Sequence, residues 1–340
     1  MWMLLFFIGD VYSQGIMTRL VSPVTYEIGI QPGFQSNPLN LSDLEIEKVG
    51  NDTDYLDGIE NSSSNVVSVY GKLSYSPRLI GGRKTRISGT LFYHSYHDIP
   101  ERTYQSASLS LKQSLGKYRY LLLGYGILPK YYLRNYLDKD PATLISTRQN
   151  CSFGTDRAWL GFEHRLSRKN RLEYRLTVRQ EIYQAPFSRY DMSMREGALS
   201  LKSDQIKGIS LAMEAQYGIA DNDNQIDDAD RSYRYLNFRP TLSLKFPGKH
   251  LIKFSGRYDQ RAYDSEETGD PLHAGRYQEE FRLDISLSPG LSQSLVLEPF
   301  AGYRERRVDS SDAAIQDLKS FTRYWFGIRI GFKSVIDMYF

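Results

Sequence analysis

The feature that most constrains this chain is a two-residue alternation kept up over unusually long segments. In Arg171–Ile182 the even positions hold Leu172, Tyr174, Leu176, Val178 and Ile182, with Gln180 the exception. The odd positions hold Arg171, Glu173, Arg175, Thr177, Arg179 and Glu181. Successive side chains of a strand point to opposite faces, so this segment has one apolar and one ionic face. A helix would scatter the same residues around its circumference. The pattern returns in Ile252, Phe254 and Tyr258 against Lys253, Ser255, Arg257 and Asp259. It returns again in Phe281, Leu283, Ile285 and Leu287 against Arg282, Asp284 and Ser286.

Fourteen such strands are predicted: 23–35, 64–77, 84–96, 102–114, 117–129, 153–166, 170–183, 190–203, 207–219, 232–246, 249–263, 275–288, 292–306 and 320–340. Met192 and Met194 fall on the opposite parity from Leu199 and Leu201, which predicts a bulge in 190–203. Pro240 and Pro299 fall inside strands, where the missing N–H predicts a bulge or an edge. No helical segment, linker or long repeat is evident, so 14–340 reads as one domain.

The connections alternate short and long. Short ones lie near 78–83, 115–116, 167–169, 204–206, 247–248 and 289–291, and long ones at 36–63, 130–152, 220–231, 264–274 and 307–319. Short turns on one rim and long loops on the other are expected of an up-and-down antiparallel barrel crossing a membrane. The strands run to about 12–15 residues against a usual mode of about 5–6. A tilted membrane strand needs about 9–11 residues to cross. The chain has 26 Tyr and 16 Phe, and rings gather near strand ends, as at Tyr118, Tyr120, Tyr131, Tyr132, Tyr233, Tyr235, Tyr324 and Phe326. A membrane accounts for both ring abundance and ring position. Charged residues make up 24%, which excludes a bundle of membrane helices. The single cysteine, Cys151, excludes an intrachain disulfide and a cysteine-based zinc site. A formal charge of +3 speaks against a strongly basic nucleic-acid binder.

The N-terminal MWMLLFFIGDVYSQG has a short apolar core ahead of Val11-Tyr12-Ser13, which reads as an export leader over 1–13. At the other end Tyr324, Phe326, Ile328, Ile330, Phe332, Ile336, Met338 and Phe340 hold one parity. This resembles the closing strand of Gram-negative outer-membrane β-barrel proteins, the porin-like class, which typically ends in Phe. The resemblance implies an outer-membrane location and recognition of the strand ending at Phe340 by the barrel-assembly machinery. The stretch Gly33-Phe34-Gln35-Ser36-Asn37-Pro38 also looks like a first-loop motif seen in several barrel families.

Parity places the candidate functional residues on the inward face. In six well-phased strands the inward bases are Arg171, Arg175, Arg179, Arg239, Lys245, Lys253, Arg257, Arg261, Arg282, Arg304, Arg323, Arg329 and Lys333. The inward acids are Glu173, Glu181, Asp259, Glu280, Asp284 and Glu298. The eight arginines 171, 175, 179, 257, 261, 282, 323 and 329 are the candidate solute-binding residues. Such an excess of one sign focuses field and favours anions in a pore. The first reading is therefore a porin-like channel for small polar or anionic solutes. The alternative is a closed barrel serving surface assembly or secretion, its lumen cross-linked by ion pairs.

Other motifs carry less. Residues 41–60 read as an acidic loop, and the short-turn side reads as basic through Arg78, Arg83, Lys84, Arg168, Lys169, Lys249 and His250. Asp221–Asp228 spaces oxygens like a calcium loop but has Ile226 where glycine belongs and Ser232 at position 12, so a solvated acidic loop fits better. There is no Gly-x-Ser-x-Gly elbow, phosphate loop or dinucleotide fingerprint, and no cofactor is called for. His94 and His97 near Asp98 are the one candidate for a rim hydrolase site.

Overall fold

The computed structural model describes residues 19–337 except 53–54, 57–58, 60, 140–145, 224–229, 266–273, 291, 293 and 311, and describes 137–139, 146–148 and 249 by their backbone alone. The expected leader 1–13, the terminal Phe340 and most of the Asp221–Asp228 loop lie outside the described residues.

Fourteen antiparallel strands close into one barrel. They are β1 (Val24–Gln35), β2 (Ser64–Tyr75), β3 (Thr85–Tyr96), β4 (Tyr104–Gly116), β5 (Arg119–Lys139), β6 (Ser146–Arg165) and β7 (Asn170–Tyr183). There follow β8 (Met192–Ser203), β9 (Ile209–Asn222), β10 (Tyr233–Lys245), β11 (Leu251–Tyr263), β12 (Tyr277–Ser288), β13 (Leu295–Asp309) and β14 (Phe321–Ile336). Each strand pairs with its sequence neighbours, and β1 closes on β14 from Val24↔Ile336 to Gln35↔Trp325. Closure leaves no unpaired edge, which is the condition for strands to stand in hydrocarbon.

The apolar parity faces outward and is uncovered. Leu91, Leu176 and Leu283 are 64%, 66% and 63% exposed, which a sheet in water would not tolerate around its whole girth. Tyr258 pairs with Phe281 and Tyr303 pairs with Tyr324 at the upper edge of this belt, with Phe281 and Tyr303 diagonal to each other. The next outward residues, Gln260, Glu279, Glu305 and Thr322, are polar. A twelve-residue strand tilted by ~40° rises ~30 Å, enough for the ~25 Å apolar band of such barrels. The barrel spans a membrane, with short periplasmic turns and long extracellular loops.

Four expectations need correction. β8 has no bulge: it keeps one register with β7 and β9, and Met192 and Met194 face the lumen. There they pack with Ala220, Tyr233 and Tyr235. Pro240 makes no bulge either. Pairing between β10 and β11 lapses beside it and resumes in register, and Gly256 opposite lacks the Cβ that would crowd the Pro240 ring at 3.1 Å. Much of the expected loop 130–152 is strand, because β5 and β6 stay paired to Lys139↔Ser146. Two register shifts, at Leu128/Tyr131 and Tyr132/Arg134, break the alternation that would have shown it. Helices are present: α1 (Asp43–Asn51) and α2 (Ala313–Lys319). Ser42 and Glu45 close a reciprocal capping box on α1, and the Asp312 side chain caps α2.

Candidate functional site

All eight candidate arginines lie on the inward parity, but they do not form one site. Arg282, Arg323 and Arg329 line a lumenal cavity of about 360 Å³ together with Lys253 and Arg304. Asp284 and Glu298 are the carboxylates in that lining. Arg171 and Arg175 line a second cavity of about 440 Å³ nearer the short turns, with Glu163, Glu173, Glu214 and Arg239. Arg179, Arg257 and Arg261 line neither; they pair with Glu196 at 3.6 Å, with Asp259 at 2.5 Å, and with the Tyr233 ring at 5.1 Å respectively.

In the first cavity the cations are unequally neutralised. Arg282 grips Asp284 through two bonds of 2.8 and 3.0 Å, and Arg329 meets Glu298 at 2.8 Å. Arg304 and Arg306 share Glu280 at 2.7 and 3.0 Å. Arg323 instead donates to the amide oxygens of Gln35 (2.8 Å) and Asn40 (3.4 Å). Among the described residues it has no carboxylate partner, so its charge is left to the cavity. The opposite wall is aromatic. His94 stacks on Tyr104 with centroids 4.5 Å apart, Tyr104 meets Tyr131 at 5.1 Å, and the row continues through Phe153 to Tyr183. Arg102, 1% exposed, lies 3.9 Å over the Tyr131 ring and donates to the Tyr131 hydroxyl and the Tyr132 carbonyl.

The ion pairs keep to the wall. Lys112 on β4 reaches Glu163 on β6, and Arg175 on β7 reaches Glu214 on β9. Every other strand-to-strand pair among the described residues joins immediate neighbours. None ties opposite walls together, as the cross-linked closed lumen would require.

Large inward rings are also held flat. Trp159 lies over Gly124, where a Cβ would stand 1.9 Å from the indole, and Trp325 lies over Gly302, where it would stand 2.3 Å away. Each ring covers the glycine directly opposite it in the ladder. Gly302→Val should therefore push Trp325 off the wall into the 360 Å³ cavity. Single-channel conductance is expected to fall several-fold with the barrel still folded, and unchanged conductance would contradict this placement of the ring.

The extracellular mouth is narrowed by loop 1, residues 36–63. Leu39, Leu41, Val49, Leu56 and Ile59 pack onto Val66, Tyr96, Ile99 and Tyr132 at the top of the wall. Asn37 anchors the loop by donating to Leu41 O (2.7 Å) and Thr322 O (3.1 Å). Buried Glu45 meets Arg134 at 2.5 Å, so this part of the supposed acidic loop is an internal latch. α1 also touches α2. Burial there, with the Arg134 and Arg276 guanidiniums nearby, pushes the Lys319 ammonium down from 10.5 to about 8. The docked loops then bind fewer protons than undocked ones between pH 8 and 10.5. Docking strengthens as pH rises through that window and is flat below it. Conductance should fall between those limits, and Lys319→Met should abolish the dependence.

Sequence reasoning found the inward bases and placed Asn37 in a first-loop motif, but missed the latch of Glu45 with Arg134, the buried Arg102 and the ring row. The Ser42-x-x-Glu45 capping signature was the one available signal for α1. The residues of the suspected rim hydrolase have separate partners. His94 shares a 2.7 Å hydrogen bond with Ser68, while the Asp98 carboxylate accepts from Asn65 N.

A closed antiparallel barrel with an apolar exterior, a charged lumen and an infolded loop defines the class: this is an outer-membrane β-barrel. No family model matches the chain, and no curated protein matches it. Among solved structures it is similar to the anion-selective porin of Comamonas acidovorans, at 10% identity over 92% of this chain and 98% of that one, TM-score 0.41. It is similar to OprD of Pseudomonas aeruginosa at 9% identity over 92% and 95%, TM-score 0.42. A loop L8 deletion mutant of OmpT, an outer membrane protein of Vibrio cholerae, is similar at 6% identity over 92% and 100%, TM-score 0.49. Strand number and closure rest on this chain's own pairing.

Proposed function

We propose that the barrel is a porin-like channel admitting small polar solutes, with a preference for anions. The observation that carries this reading is the 360 Å³ lumenal cavity, lined by five cations against two carboxylates. A wall of one sign backed by a low-dielectric barrel raises the local concentration of counter-ions. Rings of Arg and Lys select anions in pores. Wall-bound ion pairs leave the axis to water, and the aromatic row gives solutes with apolar faces a surface to slide over.

The test is a planar bilayer with a salt gradient. Unitary conductance with a reversal potential displaced toward that of chloride is expected, most strongly at low ionic strength, where screening is least. No conductance, or a displacement toward the cation, would overturn the proposal. The first of those results would favour a closed barrel acting in surface assembly.

A further inference from the structure

The short-turn rim carries a repeated pairing that the channel does not use. In five of its six turns a large apolar side chain stands exposed: Ile80, Tyr118, Leu166, Ile206 and Phe246. Ile80 and Ile206 are 68% and 64% exposed, as open as the lipid-facing belt although they lie past the strand ends. Beside them stand exposed cations: Arg78, Arg83, Lys117, Arg168, Lys169 and Lys207. Across these five turns the one carboxylate is Asp204, and Arg171 lies 3.8 Å from it.

The depth of the turns decides what this pattern meets. The turns on this side stay close to the strand ends: β4 stops at Gly116 and β5 begins at Arg119, so Tyr118 is the rim itself. A strand rise of ~30 Å across a band of ~25 Å puts the tips at headgroup level. Bulk water would leave exposed isoleucine and leucine without gain, and hydrocarbon would reject lysine and arginine. The lipid interface accepts both, because an apolar tip enters the acyl boundary while a neighbouring cation stays at the phosphates.

We propose that the short-turn rim binds the headgroups of anionic glycerophospholipids. The cations sit at the phosphates and the apolar tips enter the acyl boundary. A basic rim without apolar tips would suit an acidic protein equally well; the repetition of the tips from turn to turn selects a lipid surface.

The test uses the whole barrel in nanodiscs of phosphatidylcholine doped with spin-labelled phosphatidylglycerol, reading the label retained at the protein. Phosphatidylglycerol should be enriched over labelled phosphatidylcholine, and about 0.5 M salt should reduce the enrichment. Neutralising one turn (Arg78→Gln, Arg83→Gln and Lys84→Gln together, or Arg168→Gln with Lys169→Gln) should lower it by at least about fivefold, from about 1 kcal/mol per cation near a charged surface. Ile80→Ser with Ile206→Ser should lower it too. Strand content by circular dichroism in the same discs checks that each variant is folded. Equal retention of the two lipids would overturn the proposal. So would displacement by soluble polyglutamate with the Ile80→Ser, Ile206→Ser variant indistinguishable from wild type, the result an acidic protein partner would give.

Discussion

Arg323→Glu combined with Arg282→Glu should convert the proposed anion preference of the channel into a cation preference. Arg323 lends its charge to the cavity because its partners Gln35 and Asn40 offer amide oxygens. Arg282 is held by Asp284, so its reversal frees that carboxylate as well. A unit charge ~7 Å from the solute path is worth about 0.6 kcal/mol in bulk water and about 2.4 kcal/mol at an effective dielectric constant near 20. Reversal doubles the change, so each site alters relative anion and cation permeability by roughly tenfold or more. The measurement is the reversal potential, and the sign is expected to change. Arg323→Gln is the milder control, with a smaller shift in the same direction. An unchanged potential in both would remove this cavity from the permeation path.

Glu45→Gln should open the mouth. It leaves Arg134, whose side chain is 11% exposed, without its carboxylate, and an uncompensated buried charge costs about 3–5 kcal/mol. The cost falls on the docked loop, because the barrel's backbone ladder does not depend on this pair. Larger unitary conductance and faster proteolysis within 36–63 are expected, while strand content holds. Asn37→Ala should act in the same direction by releasing the loop from Leu41 O and Thr322 O. Conductance equal to wild type with loop 1 cleaved would mean that the loop is not the constriction.

The barrel was legible because lipid and water impose opposite demands on alternate residues. Every strand with oil on one side and a wet lumen on the other, such as β7 or β12, shows its parity in plain sequence. The misreadings fall where that contrast lapses. Met192 and Met194 are apolar but serve an internal cluster under the rim, so they mimicked a phase error. The upper parts of β5 and β6 carry register shifts, and there the alternation is lost. Glu45 looked like solvated surface because a sequence shows a charge and not its partner. The excess of inward bases was legible, but its partition was not. Which arginines are neutralised depends on contacts between strands, and Glu196 and Glu214 were not among the acids read as inward. Among the described residues Arg323 lacks such a contact, as do Arg261 over its Tyr233 ring and Lys253 in the same cavity.

The Arg323 cluster straddles the seam of the barrel. Arg323 belongs to the last strand, while Gln35 and Asn40, which hold it, belong to the first strand and its loop. Ser36 N also donates to Tyr324 O at 3.0 Å, and Asn37 reaches Thr322. No half of the sheet can build this arrangement alone. The Arg323 contacts and the anchoring of loop 1 therefore both depend on the pairing of the first strand with the last, so a ribbon that has not become a ring holds neither.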